Sequence, residues 1–157
     1  MISQCSCRGT SGYVHEDCLR GWFTSRGEWL DLDCRQCKHP FYGKIGVDLA
    51  DIAVSRVKDE HGENSIIHAL ALKNLASASS RSGDYHKAKE LLECGLSIEE
   101  REYGPDHIEV SGTLNELGNA FGDLGDYQKQ KELLERALSI QEQAYGPEHV
   151  EVALTLR

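Results

Sequence analysis

Two patterns in the sequence predict a small module braced by metal-competent side chains, followed by an all-α solenoid of helical hairpins. The first is a run of thiols and one imidazole between Cys5 and Cys37; the second is a 42-residue repeat that starts at His61. A length of 157 residues leaves room for one ordinary domain, or for a small module joined to a helical one.

The amino-terminal run contains three ligand pairs: Cys5 and Cys7 form CxC, His15 and Cys18 form HxxC, and Cys34 and Cys37 form CxxC. Thiolate and imidazole are the ligands zinc prefers, and a step of two or three residues lets one tight turn aim both side chains at the same ion. Three such pairs in one short segment favour a zinc-organised module over unrelated buried thiols. A disulfide framework is disfavoured, because no secretory signal precedes the module and the spacings are those of metal sites. The sixth cysteine, Cys94, sits apart in a helical pattern and is expected to be a small buried apolar residue.

Zinc takes four ligands, so three pairs make one and a half sites. The order CxC, seven residues, HxxC, fifteen residues, CxxC, followed by Lys38, His39, Pro40 and Phe41, resembles the last six ligands of a RING-CH domain, the C4HC3 (RINGv) zinc finger. Gly9 and Thr10, the run Tyr13 to His15, Leu19 after Cys18 and Trp22 four residues past it support the resemblance. A PHD finger is less similar, having a shorter step before its histidine and a tryptophan where this chain has Leu32. The cross-brace of the RING-CH family implies a complete zinc site at Cys5, Cys7, Cys34 and Cys37, with His15 and Cys18 as half of a second. The family's opening CxxC pair is not supplied by Met1 to Gln4, so the sequence is expected either to be a fragment or to carry a degenerate domain; missing sequence is the simpler account.

Between the last two ligand pairs, Leu19, Trp22 and Phe23 have the spacing of one helical face, which Gly27 ends. In RING domains an exposed apolar groove takes up a ubiquitin-conjugating enzyme, and by that resemblance Leu19, Trp22 and Pro40 are expected contacts. Leu19 and Trp22 are equally candidates for the module's small core, and the two roles are compatible.

Gly43 and Gly46 punctuate the junction. Leu49, Ile52, Ala53, Val54 and Val57 then form a helical stripe over 48–60, ending at His61 and Gly62. Beyond it the chain repeats: the segments that begin at His61, Tyr103 and Tyr145 lie 42 residues apart, and GlyAspTyr (83–85, 125–127), LysGluLeuLeuGlu (89–93, 131–135) and LeuSerIle (96–98, 138–140) recur at that interval. A fixed period of this size marks a solenoid of stacked units. The first copy reads as helices over 65–81 and 85–101 around a GlyAsp turn, with Pro105 and Pro147 suited to the first turn of the next helix.

This pattern is similar to the tetratricopeptide repeat in its 42-residue, kinesin-light-chain-like form. Leu117, Gly118, Phe121, Tyr127, Leu134 and Ala137 fall at that family's packing positions, whereas Gln130 replaces the usual small alanine that Ala88 supplies one copy earlier. The resemblance implies a peptide or partner groove lined by the first helices, at Lys73, Ser77, Asn115, Asn119 and Asp123. Each of these also reads as ordinary solvated polar surface. The expected organisation is a zinc module over 1–44, a connecting helix over 45–60, repeats over 61–102 and 103–144, and the start of a third over 145–157, cut in mid-helix at Arg157.

Charge narrows the function classes. The chain has 17 basic and 26 acidic side chains, a net charge of −9. Residues 1–44 hold six and five of these and are near neutral, so the helical part is acidic, which argues against nucleic acid as the partner. No apolar run approaches the roughly 20 residues of a membrane span, and reduced thiols beside a zinc pattern predict a cytoplasmic setting. The scattered histidines, the absence of a phosphate-binding glycine loop and the lack of a nucleophile elbow give no support to side-chain catalysis. Two functions remain: a RING-type ubiquitin ligase whose repeats recruit a substrate, and a noncatalytic tetratricopeptide scaffold with a degenerate zinc finger.

Overall fold

A computed structural model describes residues 2–3, 13–14, 16–34, 37–41 and 43–146. Its elements are β1 (Ile2–Ser3), β2 (Tyr13–Val14), α1 (Glu16–Arg26), α2 (Gly43–His61), α3 (Ile66–Arg81), α4 (Tyr85–Tyr103), α5 (Ile108–Asp123) and α6 (Tyr127–Tyr145). They fall into two compact units, Met1–Asp84 and Tyr85–Arg157.

The 42-residue period reappears in the backbone as a repeated helix stop. Gly62, Gly104 and Gly146 follow α2, α4 and α6 with φ of 88°, 94° and 87°, a region that favours glycine. Their N–H groups donate to the carbonyls of Lys58, Glu100 and Glu142 at 2.9, 3.0 and 2.9 Å, closing the last turn each time. The stop after α2 is therefore the same as those after α4 and α6.

In the first unit, β1 and β2 pair antiparallel, with Ile2 opposite Val14 and Ser3 opposite Tyr13. One hydrophobic core joins α1 to α2. Leu19 and Phe23 come from α1, Phe41 from the loop, and Ile45, Leu49 and Ala53 from α2, with Trp29, Leu32, Cys34, Cys37 and Ile52 packed on its edge. Burying side chains of this size stabilises by about 1.5–3 kcal/mol each, so the zinc-pattern segment and α2 hold each other in place. Polar ties reinforce the seam: Arg20 pairs with Asp48, and Trp29 Nε1 donates to Glu60 Oε1 at 2.9 Å.

The helix over 48–60 proves longer at its start. Gly43 and Gly46 lie inside α2 rather than ahead of it, because Gly46 is buried where any β-carbon would stand 2.4 Å from the Phe41 carbonyl oxygen. Glycine here permits a close backbone approach inside a first helical turn. The next helix, α3, is capped by Ser65, whose Oγ accepts from the His68 N–H at 3.2 Å, and it packs along α2.

In the second unit, α5 packs against both α4 and α6. Its amino end is capped by His107, whose Nδ1 accepts from the Glu109 N–H at 3.3 Å. The Tyr103 ring stacks on that imidazole, with centroids 4.9 Å apart. Pro105 thus sits in the turn before the cap and not in the first helical turn, its carbonyl accepting from Arg136 Nη2 at 2.8 Å; Pro147 lies outside the described residues. Gln130 is accommodated from the opposite side. Gly122 supplies the space, since a β-carbon there would lie 2.6 Å from Gln130 Nε2. Of the expected packing residues, Leu117, Gly118 and Ala137 are buried and Phe121 and Leu134 half-buried, but Tyr127 is 71% exposed at the first residue of α6, ahead of the turns that α5 covers. Cys94 is exposed too, at the border of the buried stripe of α4 that runs through Ala88, Leu92, Gly95 and Ile98.

Candidate functional site

The amino-terminal module concentrates the chemistry of the chain. Cys5, Cys7 and His15 lie outside the described residues; Cys18, Cys34 and Cys37 lie within them. Cys18 is exposed near the start of α1, and Cys34 and Cys37 are half-buried on the edge of the shared core. The loop carrying the last pair is tightly made. The Cys34 N–H donates to the His39 carbonyl at 2.9 Å and the Lys38 N–H to the Cys34 carbonyl at 2.8 Å, while Lys38 takes a left-handed φ of 56°. Such a knuckle brings two cysteines of a CxxC step to one side of a turn, which fits the thiolate donor set zinc prefers. His39 is exposed, and its Nδ1 lies 2.7 Å from the Cys37 carbonyl, a hydrogen bond that raises the imidazole pKa above its ordinary value.

Of the three expected contact residues on this module, Leu19 is 6% exposed and belongs to the core, Pro40 is half-buried beside the Asp33–Pro40 bridge, and Trp22 is 37% exposed. The neighbouring Phe23 is fully buried, so α1 turns one aromatic inward and leaves the next at the surface. Trp22 is flanked by Arg26, whose guanidinium carbon lies 4.4 Å from the ring centroid. Arg26 is in turn held by the carboxylates of Glu28 at 2.8 Å and Asp31 at 2.5 Å. This cluster was not legible in the sequence; an arginine one helical turn after a surface tryptophan, with acidic residues in the following loop, was the signal available.

Two clefts flank the loop that carries these carboxylates. One, about 770 Å³, is lined by Trp29, Leu30, Lys38, Val57, Glu60 and Ile67 among others. The second, about 420 Å³, is lined by Leu30, Leu32, Asp33 and Pro40 of the module together with Asn74, Ser77 and Arg81 of α3. It brings one expected contact residue, Pro40, and one expected groove residue, Ser77, to the same cleft.

The remaining groove positions divide between the two units. Lys73 and Ser77 are half-buried on α3, where Ser77 Oγ accepts from Arg81 Nη1 at 2.9 Å. In the second unit, Asn115, Asn119 and Asp123 follow one another at four-residue steps along one face of α5, the first half-buried and the others exposed.

Comparison with known proteins separates an amino-terminal segment from the repeats that follow it. Residues 1–37 match the RING-variant domain family, and residues 67–129 and 110–151 match two tetratricopeptide repeat families. Nearly identical TPR-like repeats of kinesin light chain type from Podosopora anserina superpose with a TM-score of 0.66 at 21% identity, over 89% of this chain and 60% of that one. BtubC (BKLC) from P. vanneervenii gives 0.65 at 18% identity, over 91% of this chain and 54% of that one. The chain thus spans a little over half the length of these structures, and the likeness is one of fold. No curated protein sequence matches it. The chain carries a RING-variant domain followed by tetratricopeptide repeats, whose fold is that of the two repeat structures above. Among the described residues, no helix is long and apolar enough to cross a membrane.

Proposed function

We propose that this chain works as a RING-type ubiquitin ligase: its zinc-ordered domain docks a ubiquitin-conjugating enzyme and its repeats recruit the protein to be modified. The observation that carries the reading is Trp22, a large aromatic at the surface of a RING-variant domain whose neighbour Phe23 fills the core. A module this small has few apolar residues to spare, and one left at the surface serves recognition better than stability. Cys5, Cys7, Cys34 and Cys37 would hold one zinc ion, and His15 and Cys18 would contribute to a second. The metal supplies no chemistry to the transfer beyond fixing the loops that frame Trp22 and Pro40.

Such a ligase offers no nucleophile. It holds the ubiquitin-charged enzyme in a reactive geometry, so the acceleration comes from orientation that is realised in the transition state. On the repeat side, Lys73 and Ser77 on α3 and Asn115, Asn119 and Asp123 on α5 provide hydrogen-bonding groups for an extended peptide or partner helix. A cytoplasmic setting, where thiols stay reduced, suits the zinc ligands.

The test is discharge of ubiquitin from a panel of loaded conjugating enzymes. The purified, zinc-loaded protein should accelerate discharge from at least one of them, and Trp22→Ala should abolish the acceleration with zinc content unchanged. A protein that binds zinc but accelerates no member of the panel would favour a repeat scaffold instead.

A further inference from the structure

We propose that Arg26 is a positioning residue that fixes Trp22 as a docking platform; the proposal rests on the reading of Trp22 as a contact for the conjugating enzyme. Arg26 closes α1, and its side chain is only 7% exposed although it carries a permanent charge. Charged groups are buried this far when they are paired, and partners are at hand for Nε and Nη2, while Nη1 is buried without a hydrogen-bond partner. Its Nε and Nη2 donate to Glu28 Oε2 at 3.2 and 2.8 Å, and Nη2 donates also to Asp31 Oδ2 at 2.5 Å. Gly27, at φ 71°, turns the chain directly after the helix and so brings both carboxylates back beside the guanidinium.

The planar group held in this way lies 4.4 Å from the centroid of the Trp22 ring, one turn earlier on the same helix. A guanidinium at this distance is attracted to the ring and backs the indole, while the side chain as a whole stays 37% exposed. Glu28 and Asp31 aim Arg26, and Arg26 aims Trp22. The consequence for recognition is pre-organisation: a ring already held in place has less freedom to lose when a partner covers it. Lysine cannot take the role, because a compact ammonium neither spans two carboxylates as a fork nor lies flat against a ring.

Two measurements on the zinc-loaded protein test this. The first is the order of the two tryptophan indole N–H groups by nitrogen-15 relaxation. In Arg26→Lys the order of Trp22 should fall, whereas that of Trp29, tied to Glu60 at 2.9 Å, should stay. The double variant Glu28→Gln/Asp31→Asn should reproduce the loss by removing the anchors while leaving Arg26 in place. The second is discharge kinetics, where Arg26→Lys should raise KM for the loaded conjugating enzyme by about three- to tenfold with kcat little changed, the signature of lost binding. Wild-type order at Trp22 in both variants would overturn the clamp whatever the kinetics. A lowered order with unchanged KM would overturn its docking role. Failure of the wild-type protein to discharge any enzyme would sink the ligase reading and the docking role with it, while the relaxation data would still decide the clamp.

Discussion

Thr113 Oγ1 donates to Glu99 Oε2 at 2.5 Å, joining α5 to α4 through a carboxylate that is 4% exposed. Forty-two residues on, Gln141 occupies the corresponding place in α6 and meets Ser111 Oγ of the same α5 at 3.4 Å. Forty-two residues back, the position is Val57, also buried. One repeat position thus carries an apolar side chain, a carboxylate and an amide in turn, and α5 answers the two polar ones with hydroxyls.

Removing one side of such a pair takes a hydrogen bond from a buried polar group. Thr113→Val should destabilise by about 1–3 kcal/mol, because Glu99 stays buried without its hydroxyl partner. Glu99→Val, which restores the residue type of position 57, should recover most of that loss when combined with Thr113→Val. Urea unfolding of the two single variants and the double variant closes the cycle. Additive effects would show that the pair is not coupled.

The contact between Gly46 and Phe41 makes a second point of weakness. A methyl group at Gly46 would meet the Phe41 carbonyl oxygen at 2.4 Å, and backbone cannot move aside as a side-chain tip can. Gly46→Ala should cost about 1–3 kcal/mol despite alanine's better helix propensity. Since Phe41 sits four residues after Cys37, the same variant should bind zinc less tightly, which competition with a chelator would show. Gly122→Ala faces only the flexible end of Gln130 and should be milder, and pairing it with Gln130→Ala should relieve what strain remains.

Glu132 on α6 provides a pH test. The Lys129 Nζ at 3.0 Å and, second, the Gln128 Nε2 at 3.2 Å hold its carboxyl pKa below the ordinary value. A carboxyl whose folded pKa is depressed contributes stability above its unfolded pKa and loses it as pH falls through the folded one. An NMR titration should find Glu132 ionising below the ordinary carboxyl range, and Lys129→Met should move it back upward. The group is on the surface, so added salt should shrink the difference.

How much of this was legible in the sequence depends on the range of each interaction. Period, helix pairs and turns came from local patterns: the 42-residue recurrence and the GlyAsp turn placed the helices, and Gly62 marked the end of the one before them. Cys34 and Cys37, as candidate zinc ligands, came from their spacing. The seam between the module and α2 did not, because Trp29 and Glu60 are 31 residues apart and Arg20 and Asp48 are 28 apart. Exposure failed as a reading where residue type was used in place of helical phase, as at Cys94 and Tyr127. Gln130 is the reverse case, an expected flaw in helix packing that Gly122, eight residues earlier on the facing helix, removes.

Zinc content tests most directly the central proposal, that the amino-terminal segment ahead of the repeats is a docking domain built on a metal. Native mass spectrometry of the purified protein should show at least one zinc ion, and Cys34→Ser should lose it while α3 to α6 keep their helical signal. A protein that carries no zinc, or a Cys34→Ser variant that keeps it, would contradict the account.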